Sequence, residues 1–169
     1  FRKHAVHVGV SIDGPREAHD RFRRDHSDRS TFDKTEANLA RLVEWSAGDR
    51  RLGPSTISVL DWRNEYGEVY RYLRGIGIRN MSFLLPDRSI EDGFKDDEGT
   101  SEHYGRALAD LFDAWHEEDD PDVSVRQISR VLQHFQAVLP ATVPVEPGSP
   151  APSPSVRSTM PYQIVIIQS

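Results

Sequence analysis

Apolar positions change period several times along this chain, and each change marks an element. Residues 5–12 carry Ala5, Val6, Val8, Val10 and Ile12, dense in β-branched side chains, and Gly14-Pro15 stops the run. That pattern predicts a buried strand. Phe32, Leu39, Leu42, Val43 and Ala47 then recur at helical spacing behind Ser30-x-x-Asp33, a capping-box-like start, which predicts a helix over 31–47. Residues 56–60 (Thr-Ile-Ser-Val-Leu) read as a second strand. Val69, Tyr72, Leu73 and Ile76 mark a helix over 65–75 closed by Gly75 and Gly77, and residues 80–85 form a third strand ended by Pro86. A polar loop of some fifteen residues follows, a length usually tied to function or disorder. Tyr104, Leu108, Leu111, Phe112 and Trp115 form the next helical stripe. Ser124-x-x-Gln127 then reads as a capping box for a last helix carrying Ile128, Val131, Leu132, Phe135 and Val138.

Strands alternating with helices require crossovers of more than about ten residues, so the strands are parallel and the class is α/β. Three parallel strands alone would leave both outer edges unpaired. The expectation is therefore half of a larger barrel or open sheet, with further strands before Phe1, where the chain enters a strand almost at once without a Met.

Composition changes this picture at one place. Seven prolines fall between Pro140 and Pro161, with only Glu146 and Arg157 charged among them, so residues 139–169 read as a Pro-rich disordered tail beside a folded unit over 1–138. The apolar end, Tyr162 to Ile167, has no partner strand in view. With 37% hydrophobic and 28% charged residues and a net charge of −6, the 169-residue chain suits a soluble, cytoplasmic domain without a nucleic-acid footprint. It lacks the run of about 18 apolar residues that a membrane span needs. There is no cysteine, which removes disulfides, thiolate nucleophiles and Cys-ligated metal centres from these residues. The seven histidines show no metal-ligand spacing, and Gly75-Ile76-Gly77 follows a helix and lacks a third glycine, so it is no dinucleotide fingerprint.

The run Val8-Gly9-Val10-Ser11-Ile12-Asp13-Gly14-Pro15, then His19-Asp20-Arg21-x-Arg23 and Ser30-Thr31-Phe32-Asp33, resembles the middle of radical SAM enzymes of the SPASM group. Within that group it resembles anaerobic sulfatase-maturating enzymes and cyclophane-forming peptide maturases. Val69-Tyr70-x-Tyr72-Leu73, Phe83-Leu84-Leu85-Pro86-Asp87 and Tyr104-Gly105 through Trp115 extend the likeness over residues 5–138.

The resemblance implies half of a partial (β/α)₆ TIM-like barrel, contributing its fourth to sixth strands. It also implies S-adenosylmethionine (SAM) and a [4Fe–4S] cluster as cofactors, with the cluster ligands upstream of residue 1. The implied function is that of a maturase fragment: the full enzyme generates a 5′-deoxyadenosyl radical and oxidises or cross-links a peptide side chain. Its partners would be a peptide or protein substrate and an electron donor such as flavodoxin or ferredoxin. Without cysteine this chain alone is expected to be inactive. The rival reading is a cluster-less, non-catalytic peptide-binding derivative of the same fold. The SPASM region expected after the last helix is replaced by the Pro-rich segment, which reads as a frame-shifted end.

The resemblance also assigns site residues. Ser11 matches a serine whose hydroxyl contacts SAM. Arg23 matches an arginine that reaches the SAM carboxylate, a task suited to its planar fork. Asp61, with Asn64 beside it, stands where the family approaches the adenosine. Asp87 stands at the adenine, where relatives carry an apolar residue. Asp13 lies on the same strand face as Ser11 and is expected to shape an Asx-turn with Gly14-Pro15. His19 is expected to be a hydrogen-bonded loop residue.

Overall fold

The computed structural model describes residues 6–47, 49, 52–86, 101–138 and 164–167, with backbone alone at 136–138 and 164–167. The elements follow the order β1 (His7–Ser11), α1 (Arg16–Asp20), α2 (Phe32–Ser46), β2 (Ser55–Val59), α3 (Tyr66–Gly75), β3 (Asn80–Leu84), α4 (Ser101–Glu118), β4 (Ser124–Val125), α5 (Arg126–Val138) and β5 (Ile164–Ile167). The strands form one sheet in the order β4-β3-β2-β1-β5, and every pairing is parallel. The α/β class and the parallel pairing expected from the pattern are what form, with five strands in the sheet where three were expected. The acidic loop expected after Pro86, Asp87 with it, and the Pro-rich run through 163 lie outside the described residues.

Strand alternation sends successive side chains to opposite faces. Register aligns Val10 with Thr56, Thr56 with Met81, Ser58 with Phe83 and Met81 with Val125. These residues and Ile12 face the helices. Ile12, Leu60, Met81, Phe83 and Val125 join Leu39, Val69, Leu73 and Leu111 in the core. Of the polar members of this face, Ser58 Oγ donates to the Ile12 carbonyl at 2.5 Å, while Thr56 Oγ1 is buried without a hydrogen-bond partner.

Helix ends are closed by long-range contacts more than by their own caps. Residue Glu65 at the start of α3 makes no side-chain cap, and the Gly67 N–H donates instead to Asp110 Oδ2 of α4 at 2.6 Å. Arg74 near the end of α3 bonds both oxygens of Glu118, at 2.8–2.9 Å, and Asp120 at 2.8 Å, while the Tyr70 hydroxyl donates to Glu118. Burial and the carboxylate beside it push the Tyr70 phenol well above its ordinary value. Gly77 stops α3 with φ +90°, and a Cβ there would stand 2.8 Å from Val43 Cγ1 of α2, so both conformation and space require glycine.

Two expected capping boxes are replaced. The helix after Ser30 begins at Phe32 with Thr31 as its cap residue and no side-chain cap bond; Ser30 Oγ accepts from Phe32 N at 3.2 Å and donates to Asp20 at 2.6 Å, and Asp33 pairs with Arg16. Ser124 belongs to β4, and Gln127 Oε1 accepts from Phe83 N of β3 at 2.9 Å. Asp33 and Gln127 are taken by partners distant in sequence, while Ser30 keeps a local bond to Phe32 N. The apolar end without a visible partner strand also finds one, since the backbone of Ile164–Ile167 pairs with β1, His7 opposite Ile164 and Val10 opposite Ile167. An exposed edge with unpaired N–H and C=O groups accepts such a run readily.

Candidate functional site

The second face of the sheet carries a different kind of residue. Ser11 and Asp13 share it, because Ile12 between them is wholly buried in the core. Val59 and Leu84 on the same face remain 40% and 42% exposed, and no described helix covers them. At the carboxyl ends of β1 and β2 this face meets the loop that follows α1.

That loop is aimed by a tight start. Gly14 takes φ +132°, and a Cβ there would press on the Val69 methyls at 3.1–3.2 Å, so the chain turns close against α3 only as glycine. Pro15 and α1 then lead into residues 21–31, which return to the strand ends. Arg23 reaches Asp13 as a fork, Nε to Oδ2 at 2.5 Å and Nη2 to Oδ1 at 3.0 Å. Asp13 Oδ1 also accepts from Val59 N at 2.9 Å, extending the β1–β2 ladder through a side chain. Asp13 is 5% exposed; such a buried carboxylate is tolerable because a cation and a backbone donor satisfy it. It shapes this region through Arg23 and β2, where the sequence suggested an Asx-turn.

Asp61 is the second anchor. Arg21 pairs with its Oδ2 and also donates to Asn64 Oδ1 at 3.1 Å, while Arg63 reaches its Oδ1 through the backbone at 3.2 Å and the side chain at 3.1 Å. The Asp61 N–H donates to the Tyr66 hydroxyl at 2.7 Å, and burial pushes that phenol up to about 12. Two carboxylates thus face three guanidinium groups, a surplus of one positive charge at the strand ends. The Arg23 fork engages Asp13 through Nε and Nη2, which leaves Nη1 as its outward edge.

Between these anchors lies a pocket of about 410 Å³. Its lining combines the charged side chains Asp13, Arg23, Asp61 and Arg63 with the apolar and aromatic Phe22, Val59, Trp62, Pro86 and Tyr104. Trp62 is stacked on His103 of α4 at 4.4 Å between ring centres, and the Arg63 guanidinium lies 5.1 Å from the Trp62 ring centre. Phe22 is 66% exposed at the rim. Such a lining suits a ligand that carries both an ionic group and a flat apolar one.

Of the residues assigned from sequence, Arg23 and Asp61 line this pocket, whereas Ser11, half-buried at the end of β1, is not among its lining residues. Asp61 is engaged by Arg21 and Arg63, which makes it an organiser of the loop, and Asp87 lies outside the described residues. Arg21, Trp62 and Tyr104 were not singled out. Only pairing across 40 residues distinguishes Arg21 from its basic neighbours, and no sequence signal carries that. Among the described residues no group of three His, Cys, Asp or Glu could hold a metal ion, and no helix is long and apolar enough to cross a membrane.

No family model matches the sequence. It is 28% identical over 161 residues to a serine-type anaerobic sulfatase-maturating enzyme of Bacteroides thetaiotaomicron, a match covering 83% of this chain and 37% of that protein. Among solved structures it is similar to a histidine-tagged anSMEcpe with bound AdoMet, with TM-score 0.68 and 24% identity over 79% of this chain and 35% of the other. It is also similar to native anSMEcpe with bound AdoMet and Cp18Cys peptide, with TM-score 0.67 and 24% identity over 79% of this chain and 37% of the other. The resemblance to anaerobic sulfatase-maturating enzymes therefore holds in sequence and in fold, and the chain spans well under half the length of these relatives.

Proposed function

We propose that this chain is the SAM-holding half of a radical SAM maturase barrel acting on a peptide or protein side chain. The observation that supports this reading most is the Asp13–Arg23 fork at the carboxyl end of β1, beside a pocket lined by charged and aromatic side chains. Ligands of parallel sheets collect at such strand ends. In this reading Arg23 Nη1 receives the cofactor's carboxylate, Ser11 supplies a hydroxyl, and the wall of Trp62, Tyr104 and Pro86 takes the flat base. Asp13 and Asp61 hold the arginines in place, and Asp87 is the remaining candidate at the base.

The two cofactors fare differently against these residues. SAM fits their donor classes: a guanidinium edge, a hydroxyl and an aromatic wall. A [4Fe–4S] cluster does not, because its thiolate ligands have no counterpart in a chain without cysteine. No step through a cluster is assigned to this chain, and the proposal leaves its ligands and the electron donor to residues and proteins outside this sequence. The chemistry such a cofactor supplies is hydrogen-atom abstraction. What these residues contribute is orientation, charge neutralisation and a dry wall.

Calorimetric titration of the chain with SAM tests the reading. Binding should weaken roughly tenfold or more in Arg23→Ala, the cost of one charge-assisted pair. Failure of the wild-type chain to bind SAM sinks it. The cluster-less peptide-binding reading draws on the uncovered Val59, Leu84 and Leu85 and on the missing thiolates. It requires an extended peptide to bind with equal affinity whether or not SAM is present.

A further inference from the structure

His19 is completely buried, although it sits in a polar, cationic stretch. Its Nε2 lies 3.0 Å from Thr31 Oγ1, and Thr31 Oγ1 lies 3.0 Å from the Arg23 main-chain carbonyl. A carbonyl can only accept, so the single Thr31 proton goes to Arg23, and Thr31 must accept from His19 Nε2–H. Nδ1 is buried without a hydrogen-bond partner. A proton there would be an unpaired donor, so the ring is neutral with its hydrogen on Nε2. The His19 carbonyl also accepts from Arg23 N at 3.0 Å and Phe22 N at 3.3 Å. The residue therefore grips the Arg23 backbone from both its main chain and its side chain.

We propose that His19 is a positioning residue: through Thr31 it fixes the Arg23 backbone so that the guanidinium fork meets Asp13 with Nη1 facing the pocket. The relay explains why a loop only ten residues past Asp13 returns a long, flexible side chain in one orientation. Its role in cofactor binding rests on the proposed function; its role in orienting Arg23 does not.

The arrangement is sensitive to acid. The groups facing the imidazole are Asp13 from the end of β1, Asp20 of α1 and Arg23 of the following loop, while α2 presents Thr31 and the uncharged Phe32 ring at 5.7 Å. Burial, helped by Arg23 and opposed by the two aspartates, holds His19 below the ordinary histidine value of 6.5. The unfolded chain then binds the proton more readily than the folded one. The His19 contribution to folding stability is full above pH 6.5, falls as pH drops from 6.5 toward the lowered folded-state value, and levels below it.

The test uses the full chain with ¹⁵N labelling. His19 ring signals should report the Nε2–H tautomer at pH 7.5, and the Arg23 Nε–H signal should be sharp and shifted by Asp13. Thr31→Val, which keeps shape and removes the relay, should broaden or displace that Arg23 signal. It should also weaken SAM binding roughly three- to tenfold, the effect of one lost hydrogen bond. His19→Gln, which keeps a donor to Thr31, should retain most of both and flatten the drop of the urea midpoint below pH 6.5. An unchanged Arg23 signal in Thr31→Val, or a His19 ring protonated on Nδ1 at pH 7.5, overturns the inference. If wild type binds no SAM, the proposed function fails, and the Arg23 signal still decides the relay.

Discussion

One sheet presents two faces that share a backbone and differ in what fixes them. On the helix-covered face, Ile12, Leu60, Met81 and Phe83 are at most 3% exposed and are held by non-directional burial. On the open face, Val59 and Leu84 are left about two-fifths exposed, and order at the strand ends comes from named pairs: Arg23 on Asp13, Arg21 and Arg63 on Asp61. Burial makes the covered face stable under many substitutions of similar volume. The open face gives up that tolerance for groups that point at a ligand, and each depends on one partner.

Substitutions should separate the two regimes. The largest loss belongs to the covered face: Phe83→Ala removes a 1%-exposed ring packed edge-on to Tyr66 and should cost about 3–5 kcal/mol in urea unfolding. A cost near 1 kcal/mol would mean that this face is not the core. Next comes Asp13→Ala, expected to cost about 2–3 kcal/mol. That is less than a fully buried pair, because the Arg23 side chain keeps 24% of its exposure. It should also release Val59 N, visible as faster hydrogen exchange at that amide. Tyr70→Phe removes one hydroxyl bond to Glu118 and should cost about 1 kcal/mol by the same unfolding measurement. Smallest is Val59→Thr on the open face, which should stay within about 0.5 kcal/mol. A larger loss there would show that something covers this face in solution.

The covered face was legible in the sequence because burial writes itself as periodicity. The strands expected at 56–60 and 80–85 form at Ser55–Val59 and Asn80–Leu84, and the helix expected over 31–47 forms at Phe32–Ser46. The short α1 was hidden within a polar stretch, since five residues carry too little period to register. The two-residue β4 was masked by a local capping pattern, and β5 by its distance from the strand it joins. Resemblance to a known family selected Ser11, Arg23 and Asp61, and of these Arg23 and Asp61 line the pocket. What the sequence did not carry was who holds whom. Asp13 reads as a turn former until the Arg23 fork is seen on it. His19 reads as a loop residue until Thr31 and Arg23 are seen on one side of it.

The Asp110 carboxylate on Gly67 has a kinetic consequence. The first turn of α3 lacks a side-chain cap of its own and receives one from a residue 43 positions later, on α4. α3 is thus unfinished as a local structure, and its last donor is satisfied only when the next crossover helix docks. Successive βα units are thereby coupled in time as well as in space, since a non-local contact must form before the helix start gains its bond. An Asp110→Ala chain should fold to the same sheet with α3 fraying from its N-terminus, and its loss of stability should appear mainly as faster unfolding.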